Sequence, residues 1–196
     1  DARPVVLLAS TREAQGESEE ALLLNALDGP LRNALIVIVP RHPQRFDAVH
    51  TLARQTGLAT KRRSQGAPDP TTQLWIGDSM GELPAYYAMA DLAYIGGSLL
   101  PLGGQNLIEA CACDCPVLVG PHTFNFAQAT DDAIAAGAAV RVNDAAMFWE
   151  CAARWLMNPS ALAQAREAAR AFSSAHRGAT ERTLAALGDL RARLTS

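Results

Sequence analysis

The segment Gly96–Glu109 carries the residue types most suited to binding a phosphate group. It reads GGSLLPLGGQNLIE, with four glycines in its first nine positions, and it follows the apolar run Leu92–Ile95. A strand, a glycine turn and a helix start expose backbone N–H groups, which bind anions well. The spacing matches neither the P-loop, which needs Gly-Lys-Ser/Thr, nor the fingerprint G-x-G-x-x-G. The segment therefore predicts a phosphate site of uncommon spacing.

Asn106 and Glu109 end this segment and allow two interpretations. Their spacing is that of a capping box, in which both side chains only satisfy the first turn of a helix. Alternatively, Glu109 accepts hydrogen bonds from both hydroxyl groups of a ribose, since a carboxylate can take two such bonds at once.

Arg41 and His42 follow a predicted strand directly, and Pro43 stiffens the turn that presents them. A guanidinium group is the side chain best matched to phosphate or carboxylate, and His42 offers its backbone N–H. An exposed arginine beside a helix start, without a ligand, is the plainer interpretation of Arg41.

The run GDSMGEL at residues 77–83 follows another predicted strand. Asp78 or Ser79 would cap the next helix, with Glu82 answering in its first turn. Alternatively, Met80 and the glycine beside it leave open backbone groups that read the edge of a base.

Two more segments follow predicted strands. The hydroxyl groups of Ser10-Thr11-Arg12 either contact a ligand or cap a helix. The run Gly120–Phe126 would close one side of a cleft, and His122 within it is either a general base or a loop histidine held by its neighbours.

Composition excludes several classes of protein. Hydrophobic residues make up 49% and charged residues 19%, which is typical of a globular domain. A net charge of -3 gives no basic field for nucleic acid, and no apolar run approaches the ~18 residues of a membrane-spanning helix. Three of the cysteines alternate at Cys111, Cys113 and Cys115, which is not the spacing of a zinc site, so we expect buried thiols and no metal.

Apolar runs alternate with amphipathic stretches along the chain, which predicts an α/β fold: a Rossmann-like parallel sheet with helices on both faces. The predicted strands are residues 4–9, 35–39, 73–76, 92–95, 116–119 and 138–142, with a weaker one at 59–62. The predicted helices are residues 18–27, 45–55, 83–89, 107–113, 127–136, 145–157, 160–174 and 179–194. Because parallel strands end at one edge, all the segments above are expected to meet there.

Residues 1–176 are predicted to form one Rossmann-like nucleotide-binding domain. Residues 177–196 are predicted to hold a C-terminal helix whose leucine stripe packs on this sheet or crosses to an N-terminal domain outside the chain. At the shared edge, Arg41, the glycine turn and Glu109 describe a nucleoside monophosphate site. The ribose would lie on Glu109, the phosphate on the glycine turn and helix start, and the base near Met80.

In these segments the sequence resembles the C-terminal half of bacterial 3-deoxy-D-manno-octulosonic acid (Kdo) transferase, a glycosyltransferase of the two-domain GT-B fold. The matching segments occur in family order and span nearly the whole chain. They are residues 9–12 with 16–17, 40–46, 77–83, 96–99, 103–109, and 120–122 with 125–126.

The resemblance implies a CMP-Kdo donor whose CMP half is held by this domain. It implies CMP contacts at Arg41, His42, Met80, Gly81, Glu82, Asn106, Leu107, Ile108 and Glu109. Further donor contacts are expected at Ser10, Gly97, Ser98 and Gly104. It implies no cofactor and no metal.

The resemblance also implies inverting transfer of Kdo to a lipid A precursor in lipopolysaccharide biosynthesis, at the cytoplasmic face of the bacterial inner membrane. The acceptor site, the membrane association and the general base, a glutamate, are expected in the N-terminal half. The chain alone is therefore expected to bind CMP without catalysing transfer, and no nucleic-acid partner is implied.

The sequence departs from the family pattern at several positions. Gln105 stands where the family usually has histidine and Leu107 where it has proline, and Glu13-Ala14-Gln15 resembles a small insertion. Asp114 stands where a glycine usually ends the helix, so it is expected in the left-handed conformation.

Two other functions stay open at this point. One is the C-terminal domain of a UDP-sugar-dependent GT-B glycosyltransferase, although a second phosphate would call for more positive charge than Arg41 supplies. The other is a non-catalytic nucleotide-binding domain.

Overall fold

A computed structural model describes residues 3–27, 31 and 33–176. Its centre is a seven-stranded sheet in which every neighbouring pair of strands is parallel. The strands are β1 (Val5–Thr11), β4 (Leu35–Pro40), β5 (Thr60–Arg62), β6 (Leu74–Ile76), β7 (Leu92–Ile95), β8 (Val117–Val119) and β9 (Ala139–Arg141). Their order in the sheet is β5-β6-β4-β1-β7-β8-β9. The α/β prediction is confirmed.

Within the described residues, seven α-helices cover the two faces of the sheet. They are α1 (Glu19–Asn25), α2 (Phe46–Gln55), α3 (Leu83–Met89), α4 (Ile108–Ala112), α5 (Ala127–Ala135), α6 (Ala145–Leu156) and α7 (Pro159–His176). Helices α3, α4, α5 and α7 share one core layer with the sheet, and α1, α2 and α6 share the other. All predicted elements within the described residues are present, with ends shifted by up to two residues. The predicted helix 179–194 lies outside the described residues.

The central strands explain why the apolar runs are continuous. Alternate residues of β1 enter opposite core layers, with Leu7 on one side and Leu8 on the other, and neither is exposed to solvent. A strand with a helix layer on each face needs apolar side chains at every position. The short runs therefore predicted both the strands and their place inside the sheet.

The segment between β1 and α1 contains an antiparallel hairpin that the sequence did not predict. Strand β2 (Glu13–Ala14) pairs with β3 (Glu17–Ser18), and the predicted insertion forms β2 and the first residue of the turn, Gln15. The base of this hairpin is closed by Arg12 and Glu19. The N–H of Glu19 donates to the carbonyl of Arg12 at 3.0 Å, and the N–H of Arg12 donates to the Glu19 carboxylate at 2.9 Å.

The ends of three neighbouring strands, β1, β7 and β8, pack closely together at the carboxyl edge of the sheet. Ser10 has φ of +54° and forms an irregularity where the register of β1 against β4 shifts. A side chain on Gly96 would place its Cβ only 2.0 Å from the carbonyl oxygen of Ser10. A Cβ on Gly120 would similarly lie 2.2 Å from the carbonyl oxygen of Ser98. Glycine at 96 and 120 thus lets the loops after β1, β7 and β8 touch backbone to backbone.

Asp114 adopts φ of +57°, as its position after α4 predicts, and it forms an ion pair with Arg170 at 2.8 Å. Among the described residues, no helix is long and apolar enough to cross a membrane.

Candidate functional site

A cavity of about 240 Å³ lies at the carboxyl edge of the sheet, where the predicted segments meet. It brings together five residues that the sequence pointed to: Ser10, Arg41, Met80, Gly81 and Glu109. The remaining lining residues are Val39, Pro40, Ser79, Leu83 and Pro84. The ends of β1 and β4, the segment after β6 and the starts of α3 and α4 therefore contribute to one site, as expected at the carboxyl edge of a parallel sheet.

Arg41 supplies positive charge to this cavity. Its backbone is fixed because its N–H donates to the carbonyl of Thr11 at 3.0 Å, which ties the ends of β4 and β1 together. Its side chain is exposed, and within the described part of the chain its guanidinium has neither an ion pair nor a hydrogen bond. An uncompensated guanidinium on a fixed backbone is suited to an anionic ligand.

Glu109 contributes an exposed carboxylate on the first turn of α4. The Asn106 amide donates to its Oε1 at 3.3 Å, while the Asn106 Oδ1 accepts from the N–H of Ile108 at 3.0 Å. The reciprocal bonds of a capping box are not formed, because α4 begins after Leu107 and has no side-chain cap. Asn106 instead orients Glu109, whose second carboxylate oxygen keeps its accepting capacity.

Met80 and Gly81 provide an apolar and open part of the cavity. The Met80 side chain is 61% exposed, and a Cβ on Gly81 would meet no atom within 4 Å.

Glu82 is engaged elsewhere, since Ser79 donates to its carboxylate and Arg63 pairs with it at 3.0 Å. The Ser79 hydrogen bond and then the Arg63 charge lower the pKa of Glu82.

The glycine loop differs from the expectation of bare N–H groups. Its amides at Gly97 and Leu99 donate to the carboxylate of Glu19, at 2.7 Å and 3.1 Å. The Tyr94 hydroxyl donates to the same carboxylate at 2.5 Å. Glu19 is fully buried, so a protein carboxylate already accepts from two of the amides that the sequence offered to a phosphate.

Other predicted residues of this loop serve the fold. Ser98 is fully buried, and its hydroxyl donates to the carbonyl of Ile95 and accepts from the N–H of Gly120 at 2.8 Å. The Gly104 N–H donates to the carbonyl of Gly97 at 2.7 Å. Leu107 is only 1% exposed and belongs to the core.

Glu20, next to Glu19, is also fully buried. It accepts from the Thr11 hydroxyl at 2.7 Å and pairs with Arg45 at 3.1 Å. Burial raises the pKa of Glu20, and the Thr11 hydrogen bond opposes that change. The sequence does not predict this burial, because two acids at the start of a helix ordinarily interact with its dipole. Their burial becomes evident only once the glycine loop packs over them.

His42 lies beside the first cavity and lines a second one. That second cavity, of about 420 Å³, is formed by Arg12, Glu13, His42, Gln44 and Arg45. His122 is held by its backbone N–H, which donates to the carbonyl of Ser98 at 2.9 Å.

Cys111 and Cys115 are buried, as predicted, and Cys113 is partly exposed. Burial raises the pKa of the Cys111 thiol to about 12. Among residues 3–27, 31 and 33–176, no group of histidine, cysteine and acidic side chains is arranged to hold a metal ion.

The parallel sheet, its two helix layers and a cavity at the carboxyl edge define a Rossmann-like α/β domain. The family model for glycosyl transferases group 1 matches residues 60–172, which is more than half of the chain. The chain belongs to this family of glycosyltransferases.

Comparison with individual proteins shows which glycosyltransferases this chain is similar to. The chain is 50% identical to a 3-deoxy-D-manno-octulosonic acid transferase of Bordetella pertussis, covering 95% of this chain and 45% of that protein. It is 39% identical to the Haemophilus influenzae enzyme of the same name, covering 80% of this chain and 36% of that protein. The chain thus spans less than half the length of these relatives.

Among solved structures, the chain is similar to the C-terminal CMP-Kdo binding domain of WaaA from Acinetobacter baumannii. The two are 36% identical with a TM-score of 0.80, covering 87% of this chain and 89% of that one. The resemblance to the C-terminal half of Kdo transferases and the predicted GT-B C-terminal domain fold are both confirmed.

Proposed function

We propose that this chain is the donor-binding domain of a Kdo transferase and that its cavity at the carboxyl edge binds the CMP half of CMP-Kdo. The observation that carries the proposal is the meeting of Arg41, Met80 and Glu109 around one cavity of about 240 Å³. A guanidinium, an apolar surface and a carboxylate are the three chemistries that a phosphate, a base and a ribose require.

Each group of the nucleotide has a candidate partner. Arg41 would bind the phosphate by charge-assisted hydrogen bonds. Glu109, already oriented by Asn106, would accept from the ribose hydroxyls. The base would lie on Met80, and backbone groups beside Gly81 would read its edge. The Gly97 amide is not included among the proposed phosphate contacts, because Glu19 already accepts its N–H.

The transferase activity rests on the similarity to proteins more than twice as long. We infer that the whole protein transfers Kdo to a lipid A precursor, with inversion, at the inner face of the bacterial inner membrane. The acceptor site, membrane contact and general base would come from outside these 196 residues. Within this domain we therefore assign only the site that binds the donor.

Titration calorimetry of the 196-residue chain with CMP, UMP and UDP tests the donor assignment. CMP and UMP differ only in the base edge, so reading of that edge should make CMP bind about tenfold more tightly. UDP should bind no more tightly than UMP. Equal affinities for CMP and UMP would overturn the base assignment, and preference for UDP would favour the UDP-sugar alternative.

A further inference from the structure

The second cavity adjoins the proposed CMP site, since Arg41 lines one and His42 lines the other. Arg12 also lines the second cavity. The two arginines extend from the ends of adjacent strands, β1 and β4, which are joined by the hydrogen bond from the Arg41 N–H to the Thr11 carbonyl. The two cavities are therefore neighbours at the carboxyl edge of the sheet.

The charges in the second cavity are unequally compensated. Arg45 pairs with both Glu20 and Glu13, and its side chain is only 12% exposed. Within the described part of the chain, the Arg12 guanidinium has neither an ion pair nor a hydrogen bond. Arg12 therefore supplies the available positive charge of this cavity, as Arg41 does for the first.

The position of Arg12 is fixed by buried structure. Its N–H and that of Gly97 donate to the same oxygen of Glu19, Oε2, at 2.9 Å and 2.7 Å. The stem of its side chain runs over Gly97, because a Cβ on that glycine would lie 3.3 Å from the Arg12 Cδ. The backbone is thus held rigidly, while the guanidinium is left available to a ligand.

We propose that Arg12 binds the carboxylate of the donor sugar. This inference rests on the proposed function, because Kdo is an acid and CMP-Kdo therefore carries two anionic groups, one phosphate and one carboxylate. Two uncompensated guanidinium groups on adjacent strand ends match that number, with Arg41 on the phosphate. The planar fork of Arg12 can hold both carboxylate oxygens, which gives orientation as well as affinity.

Calorimetry of the 196-residue chain with CMP and CMP-Kdo tests the inference. Arg12→Gln should lower the affinity for CMP-Kdo about 10- to 100-fold, the range for losing hydrogen bonds to a charged group. Its affinity for CMP should stay within twofold of the original. Arg12→Lys, which keeps the charge without the fork, should give an intermediate loss, and Arg54→Gln on the exposed side of α2 is the matched control.

The possible failures are distinct. If the unmodified chain does not bind CMP, the proposed function falls and the inference with it. If CMP binds but Arg12→Gln weakens CMP and CMP-Kdo equally, Arg12 acts on the nucleotide and the inference is overturned. It is also overturned if CMP-Kdo binding is unchanged, or if only UDP binding weakens, which would assign Arg12 to a second phosphate. Equal thermal unfolding temperatures of all variants exclude misfolding.

Discussion

Glu19 and Glu109 are both carboxylates at the carboxyl edge of one sheet, yet their surroundings are opposite. Glu19 is fully buried and accepts hydrogen bonds from Arg12, Gly97, Leu99 and Tyr94. Glu109 is exposed, and Asn106 donates to one of its oxygens at 3.3 Å. Glu19 holds the strand ends and the glycine loop together, whereas Glu109 is accessible to a ligand. Residue type alone therefore does not separate scaffold from binding group.

The largest effect expected is from Glu19→Gln. An amide offers one accepting oxygen, so the donors on one side of the group would face an N–H₂ instead. Breaking a buried charged network in this way should lower the free energy of unfolding by about 3–5 kcal/mol. Urea unfolding measures it, with Glu17→Gln on the exposed strand β3 as a control that should change it by less than about 0.5 kcal/mol. A loss below 1 kcal/mol for Glu19→Gln would contradict the scaffold role.

Two glycines test the same contrast between scaffold and binding site through packing: Gly96 at the packed strand ends and Gly81 in the open cavity. Gly96→Ala would bring a Cβ within 2.0 Å of the Ser10 carbonyl oxygen, and the strand ends must separate, at a cost of about 3 kcal/mol. Gly81→Ala meets no atom within 4 Å but keeps φ of +79°, which costs about 1 kcal/mol. Urea unfolding of both variants measures the difference. Equal losses would mean that the two regions are packed alike.

The effect of Glu109→Ala is expected in ligand binding and not in the stability of the fold. If both ribose hydroxyls bond to this carboxylate, CMP affinity should fall by about 2 kcal/mol while the unfolding temperature stays unchanged. Calorimetry with 2′-deoxycytidine monophosphate refines the test, because that ligand lacks one hydroxyl and should lose less. Glu150→Ala, another exposed glutamate on a helix, is the control. Equal losses for both ligands would argue against the 2′-hydroxyl contact.

Much of the fold was predictable from the sequence. Apolar runs such as Leu35–Val39 must be buried on both faces, which fixes a parallel sheet and the edge where its loops meet. Arg41, Met80 and Glu109 were expected at that edge, and they line one cavity.

The rest depends on packing between residues distant in sequence. Glu19 contacts the glycine loop about 80 positions later, so no local pattern distinguishes it from an ordinary first-turn acid. The expectation of a bare amide at Gly97 was wrong for the same reason, because that N–H donates to Glu19. The sequence does not predict Arg12 as a binding residue. Its lack of an ionic partner becomes evident only in the structure, where Arg45 pairs with both Glu13 and Glu20.

The hairpin between Arg12 and Glu19 has a consequence for how this domain tolerates change. Since these two residues bond to each other at its base, the residues between them can vary in number without moving either end. We expect insertions or deletions at the tip of this hairpin to leave the backbone of Arg12 and Glu19 in place. For the same reason the tip, at Gln15 and Gly16, is a suitable position for a fluorescent label that reports on occupancy of the neighbouring cavity.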